Sequence, residues 1–113
     1  MSKEFNLKTG KFGEEIAKKF LESHGYKVLE QNYRTKFAEA DLICQKQGEK
    51  ILVEVRTKKG ELFGSPEESL TKRKLAKLWW TAKAIRASRI DAVCIVLDSE
   101  NKLKRLDHYE SIC

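Results

Sequence analysis

Two short runs hold the residues best suited to chemistry: Ala38-Glu39-Ala40-Asp41-Leu42-Ile43 and Leu52-Val53-Glu54-Val55-Arg56-Thr57-Lys58. Each sets a carboxylate inside a stretch that otherwise reads as a half-buried strand. Carboxylates are seldom buried unless they are paired or hold a metal. Asp41 and Glu54, brought side by side by one hairpin, therefore predict a divalent-cation site. Mg²⁺ or Mn²⁺ suits such a pair, because Mg²⁺ binds oxygen, keeps several waters and needs only one or two carboxylates. The ion can polarise a phosphoryl oxygen and activate water. Arg56 lies two residues past Glu54, on the same strand face, where it can align water or neutralise phosphate charge. The purely structural alternative is an ion-pair network of Asp41, Glu54 and Arg56. Buried ion pairs are weak stabilisers, which counts against it.

These groups need elements to position them. Phe12, Ile16 and Phe20 recur every four residues, predicting a helix over 9–24 with Ala17 and Leu21 widening its apolar stripe. Glu14 falls at the flank of that stripe and can reach the sheet's charged end. Gly13 would let the helix come close to the sheet, and Gly25 is a natural stop. Strands are expected over 26–34, 37–46 and 50–58. Ser65-Pro66-Glu67-Glu68 has the form of a helix start, and Thr71 is a second candidate cap for a main helix running to about Ser88. Leu75, Leu78, Trp79, Ala82 and Ile85 form its predicted apolar face. The apolar run 90–97 reads as a buried strand, and 102–108 as a short edge strand. This order, αβββαβ with an added strand, predicts a single-domain α/β sandwich with a central mixed sheet.

The hairpin can be checked by register. A two-residue turn at Gln47-Gly48 would pair Lys46 with Glu49, Ile43 with Leu52, Asp41 with Glu54 and Glu39 with Arg56. Cys44, Leu42 and Ala40 would then share one apolar face with Ile51, Val53 and Val55. The other face is apolar at the turn end and charged at the far end, as a strand pair with a site mouth requires.

The 113 residues carry 23 Lys plus Arg against 17 Asp plus Glu, a formal charge of +6. A basic balance favours polyanionic partners. DNA or structured nucleic acid is one such partner, an anionic membrane surface or another phosphate-rich ligand the others, and a charge of this size also serves plain solubility. Arg73, Lys74 and Lys77 lie off the second helix's apolar stripe and suit phosphate contacts; a solvated helix surface is the alternative. Trp80, also off the stripe, can stack on a base, pack on a loop or join a homodimer contact. Asn32, Tyr33 and Arg34 precede the hairpin and can reach the site mouth, with core packing the alternative for Tyr33. His24 reads as a helix C-terminal cap, and neither histidine belongs to an evident metal cluster. There is no Gly-rich phosphate loop. The first residues lack an apolar signal-peptide core and no run is long enough for a membrane span. With Cys44 and Cys94 in apolar runs, the expectation is a cytoplasmic, reduced protein with no membrane partner.

Several motifs fall in a familiar order: Gly13-Glu14, Gly25-Tyr26, Asn32-Tyr33-Arg34, Glu39-x-Asp41-Leu42-Ile43, Glu54-Val55-Arg56-Thr57 and Phe63-Gly64-Ser65-Pro66-Glu67-Glu68. In this the chain resembles the YraN-like proteins, a family similar to the archaeal Holliday-junction resolvases and placed with the PD-(D/E)xK restriction-endonuclease-like nucleases. The resemblance covers about residues 10–96. It implies a restriction-endonuclease-like αβββαβ core, with metal ligation by Asp41 and Glu54 assisted by Glu14. It also aligns Lys74 with a recurrent helix lysine. The chain departs from the pattern at Ala38, where the family has Gly, and at Arg56, where it has Lys. Arg stays charged and its planar fork is bulkier than an ammonium. Charge supply alone would leave Arg56 sufficient; loss of a proton or a tight fit round water would not. Lys58, of the right strand parity, and Lys74 are stand-ins. Two readings follow: a metal-dependent nuclease with Glu14, Asp41, Glu54 and Arg56 at its centre, or a catalytically impaired module that binds nucleic acid without cutting. Arg34, Lys58, Arg73, Lys74 and Lys77 are the binding candidates in both.

Overall fold

The computed structural model describes residues 3–62 and 64–113, with the side chains of 3–8 outside the description. Phe63 of the 63–68 motif and the first two residues lie outside the described residues. The order is α1 (Lys3–Ser23), β1 (Lys27–Arg34), β2 (Glu39–Lys46), β3 (Glu49–Lys59), a 3-10 turn (Pro66–Ser69), α2 (Lys72–Ile85), β4 (Arg89–Leu97) and β5 (Leu103–Tyr109). The strands form one sheet in the order β1-β2-β3-β4-β5. All neighbours are antiparallel except β3 and β4, which are parallel and joined through α2. This is the α/β sandwich with a mixed sheet that the sequence predicts.

Strand parity sorts two cores. Leu42, Cys44, Ile51, Val53 and Val55 pack with Ala17 and Leu21 of α1. Ile43 and Leu52 pack with Leu78, Ala82 and Ile85 of α2. Ala40 joins the second group rather than the first, a departure from the expected face explained by the parting of β2 and β3 described below. Cys44 and Cys94 are free and buried, and burial pushes both thiols up to about 12. Among the described residues, no helix is long and apolar enough to cross a membrane.

The helix ends follow local chemistry. Gly25 takes φ +87 after α1. Gly25 N–H donates to Glu22 O and Tyr26 N–H to Leu21 O, the paired closure that favours glycine. His24 Nδ1 lies 2.8 Å from Phe20 O, at the C-terminal position expected for it. Thr71 caps α2, its side chain accepting from Lys74 N–H at 3.2 Å. Ser65 precedes the 3-10 turn but makes no side-chain cap bond. Gln47 and Gly48 both take positive φ, 51 and 81, as a tight two-residue hairpin turn requires.

The apolar stripe of α1 is rotated from expectation, and that of α2 departs at one position. On α1 the buried line is Thr9, Gly13, Ala17 and Leu21, while Phe12 is 46% exposed. Small residues win the seam because α1 lies against β3 very closely. A Cβ built on Gly13 would collide with Thr57 Oγ1. Gly13→Ala is therefore expected to push α1 off the sheet at a cost of about 1–3 kcal/mol, read from urea denaturation. On α2 the predicted Leu75, Leu78, Ala82 and Ile85 pack inward, but Trp79 is exposed and Thr81 is buried in its place. The Thr81 hydroxyl donates to Lys77 O at 2.8 Å, so it enters the interior satisfied.

Candidate active site

The β2–β3 ladder runs from Lys46↔Glu49 to Leu42↔Val53 and ends there. The predicted pairs Asp41↔Glu54 and Glu39↔Arg56 are not ladder partners. Instead, Asp41 Oδ2 accepts the Val55 N–H at 2.9 Å, so a side chain replaces the neighbouring strand's carbonyl. Two facing carboxylates repel, and parting the strands lets them meet obliquely. Asp41 still lies near enough to Glu54 for its charge to act on that carboxyl.

Glu54 is 2% exposed. Its Oε2 lies 2.8 Å from Arg56 Nη2 and 3.5 Å from Lys74 Nζ. Among the described residues, its Oε1 and the Arg56 Nε are buried without a hydrogen-bond partner. Burial, reinforced by the Asp41 charge, pushes the Glu54 carboxyl up to about 8 despite Arg56 and Lys74. Strand parity puts Leu52, Glu54 and Arg56 on the α2 side, which is how Lys74 reaches the group.

Glu14 approaches from α1. It is half-buried, and burial first, Asp41 second, raise its carboxyl above the usual range. The Asn32 amide, with its nitrogen towards the carboxylates, donates to Glu14 Oε1 at 3.3 Å and Glu39 Oε1 at 3.1 Å. Asn32 does so from φ 50 within β1, a left-handed conformation that asparagine tolerates better than most residues. Glu14, Arg56, Thr57 and Lys58 line one cleft of about 570 Å³, closed on its far side by the loop carrying Gly64 and Pro66. Glu67 ties that loop to β5: it accepts from Arg105 at 2.8 Å and from the Tyr109 hydroxyl at 2.7 Å. The Arg105 bonds hold its carboxyl down at about 2.

Of the predicted surface cations, Arg73, Lys77 and Lys58 are exposed. Arg34 is exposed too and lies 3.6 Å from Glu39. Lys74 differs. It is half-buried and paired with Glu54, so it belongs to the carboxylate group rather than to a solvated basic face. Tyr33 is exposed instead of packed in the core.

A second polar cluster was missed. Asp91, fully buried in β4, receives Arg89 Nε at 2.9 Å, Arg89 Nη2 at 3.0 Å and Ser111 N–H at 3.0 Å. His108 Nε2 lies 2.9 Å from Asp91 Oδ2, so His108 is not isolated, as the sequence had suggested. Ligand atoms of Asp91, His108 and Glu110 lie within 4.8 Å of one another, a spacing a metal ion could bridge. The Arg89 guanidinium already engages both Asp91 oxygens there, and Arg89 Nη2 also donates to the Tyr26 hydroxyl at 2.9 Å. The signal was present in the sequence: Asp91 is a carboxylate inside a buried apolar strand, like Asp41 and Glu54.

The model of the uncharacterised protein family UPF0102 matches residues 13–95. A UPF0102 protein of Syntrophomonas wolfei is 45% identical over 73 residues, which span 65% of this chain and 64% of that protein. A UPF0102 protein of Pelotomaculum thermopropionicum is 34% identical over 110 residues, spanning 90% and 92%. One from Clostridium botulinum is 36% identical over 105 residues, spanning 85% of each. The matched span contains Glu14, Asp41, Glu54, Arg56 and Lys74.

Proposed function

The chain belongs to the uncharacterised protein family UPF0102, and we propose from its site that it hydrolyses phosphodiester bonds in DNA or structured nucleic acid with a bound Mg²⁺ or Mn²⁺. The observation carrying this reading is Glu54: a buried carboxylate with an unpartnered oxygen, next to Asp41, where the sheet opens. That donor set fits a hard divalent cation, which needs oxygen ligands and would relieve the repulsion between the two acids. The resemblance to the YraN-like proteins, and through them to the Holliday-junction resolvases of the PD-(D/E)xK group, points the same way.

Asp41 and Glu54 would hold the ion, with Glu14 reaching it directly or through water. When bound, the ion would supply an activated water and polarise a phosphoryl oxygen. Arg56 lines the cleft beside Glu14 and Lys58, and its fixed charge suits a phosphate oxygen. It cannot take up the attacking water's proton, because guanidinium does not deprotonate in proteins. Asn32 orients Glu14 and Lys74 balances Glu54. Arg34, Lys58, Arg73 and Lys77 offer sequence-independent contacts to the backbone.

One distance favours the second reading, a module that binds without cutting. Arg56 Nη2 sits 2.8 Å from Glu54 Oε2 and competes with an ion for that charge. Supercoiled, branched and single-stranded DNA incubated with Mg²⁺ or Mn²⁺ separates the two. The nuclease reading expects metal-dependent cutting that falls at least about a hundredfold in Asp41→Asn, as when a group acting on the transition state is removed. Cutting that persists in Asp41→Asn sinks it. Salt-sensitive binding without cutting, converted to cutting by Arg56→Lys, supports the impaired module.

A further inference from the structure

Trp80 has no task in the carboxylate site. α2 contains no acidic residue, and Arg73, Lys77 and Trp80 recur at intervals of four and three, which places them along one face. Trp80 is 53% exposed and Phe37 is 41% exposed. Their ring centroids lie 5.9 Å apart at an interplanar angle of 31°, and Trp79 meets Trp80 edge-on at 4.9 Å. The turn that presents Phe37 is closed by Thr35, whose Oγ1 accepts from Phe37 N–H and Ala38 N–H at 3.2 Å each. Cations crowd the rings: Lys36 Nζ stands 5.3 Å from the Phe37 centroid and Lys83 Nζ 4.9 Å from that of Trp79. Lys74, on the same helix, touches Glu54. It lies six positions along the helix from Trp80, a rise of about 9 Å.

We propose that Trp80 and Phe37 form a stacking platform for unpaired nucleotides, with Arg73 and Lys77 holding the backbone of the same strand. The preferred nucleic acid is then single-stranded, or carries a single-stranded segment beside a duplex. A continuous duplex keeps its base faces stacked inside, whereas unpaired bases offer them to aromatic rings in any sequence. A second copy of the chain fits the patch poorly, because self-contact would set Arg73, Lys77 and Lys83 against one another with no acid on α2 to meet them. The inference rests on the nuclease reading for what happens to the strand, but not for its capture.

The test is equilibrium binding in EDTA, comparing a labelled oligodeoxythymidylate of about 16 nucleotides with a hairpin duplex. Trp80→Ala and Phe37→Ala should each weaken single-strand binding roughly tenfold and leave duplex binding within about twofold. Trp80→Phe should retain single-strand binding. Lys77→Ala should weaken both and flatten the salt dependence. Unchanged single-strand affinity in both alanine variants overturns the platform, as does an equal loss on duplex. So does a dimer in sedimentation that Trp80→Ala dissociates. Because EDTA removes any metal-dependent chemistry, a failed nuclease assay with intact, Trp80-dependent binding leaves the platform standing. Cutting without single-strand preference removes the platform and leaves the nuclease.

Discussion

Asp91→Ala is expected to destabilise the protein by about 3–5 kcal/mol, the effect of leaving one partner of a buried ion pair alone. Arg89 would lose both oxygens it engages, and Ser111 N–H and His108 would lose their acceptor. Domains of this size hold only about 5–15 kcal/mol in total, so urea denaturation at neutral pH should place the variant near the edge of folding. The wild-type pair also has a pH signature. Burial alone would raise the Asp91 carboxyl, but His108, Arg89 and Ser111 together hold it below its ordinary value of 3.8. A carboxyl depressed in the fold gives stability that is present above its unfolded pKa and is lost as pH falls through the folded one. The acid limb of the stability curve, below about pH 4, should therefore be shallower in the variant. A double replacement, Arg89→Leu with Asp91→Leu, should cost less than the two single changes summed, since the pair leaves together. Additive losses would show that the network is not a unit.

Glu54→Gln is the second large effect, and it concerns the metal. With no ion bound, burial and Asp41 push the Glu54 carboxyl up to about 8 against the pull of Arg56 and Lys74, so it holds a proton more readily than an exposed glutamate. A divalent ion competes with that proton. Isothermal titration with Mn²⁺ at pH 7 in buffers of different ionisation enthalpy should show proton release on binding, and affinity should climb as pH rises towards 8. Glu54→Gln should lose the proton release and at least about tenfold in affinity, the lower end of what even outer groups contribute around a metal. The stability sign is opposite to that of Asp91. A carboxyl raised in the fold gives stability that is fully present below the unfolded value of 4.5 and is lost as pH rises through the folded value. The metal-free wild type should lose stability from about pH 4.5 to 8 and Glu54→Gln should not. Mn²⁺ binding without proton release, or equal binding by the variant, would remove Glu54 as a ligand.

Local rules were legible where neighbouring residues in sequence do the work. The Gln47-Gly48 turn and the pairs nearest it, from Lys46↔Glu49 to Leu42↔Val53, are found as expected, because two residues of positive φ dictate the register of the strands they join. Thr71 caps α2 and Gly25 ends α1 for equally local reasons. That Asp41 lies near Glu54 was legible from the hairpin, but their direct pairing was not, because the ladder ends at Leu42↔Val53. Periodicity counts large apolar residues, and so it put Phe12 and Trp79 inward. At the α1 seam a close helix–sheet contact instead selects a small residue, Gly13; on α2, Thr81 is buried with its hydroxyl satisfied by Lys77 O.

The order of elements, the hairpin register and the acids at its open end were determined by the chain's own pattern, since each depends on residues a few positions apart. Only the tertiary structure decided that β2 and β3 part at Asp41, that Lys74 leaves the surface to pair with Glu54, and that Arg89, Asp91 and His108 form a buried network. Those contacts join residues from different elements, and their energetics depend on desolvation, which exists only once the helices and sheet have closed around the charges.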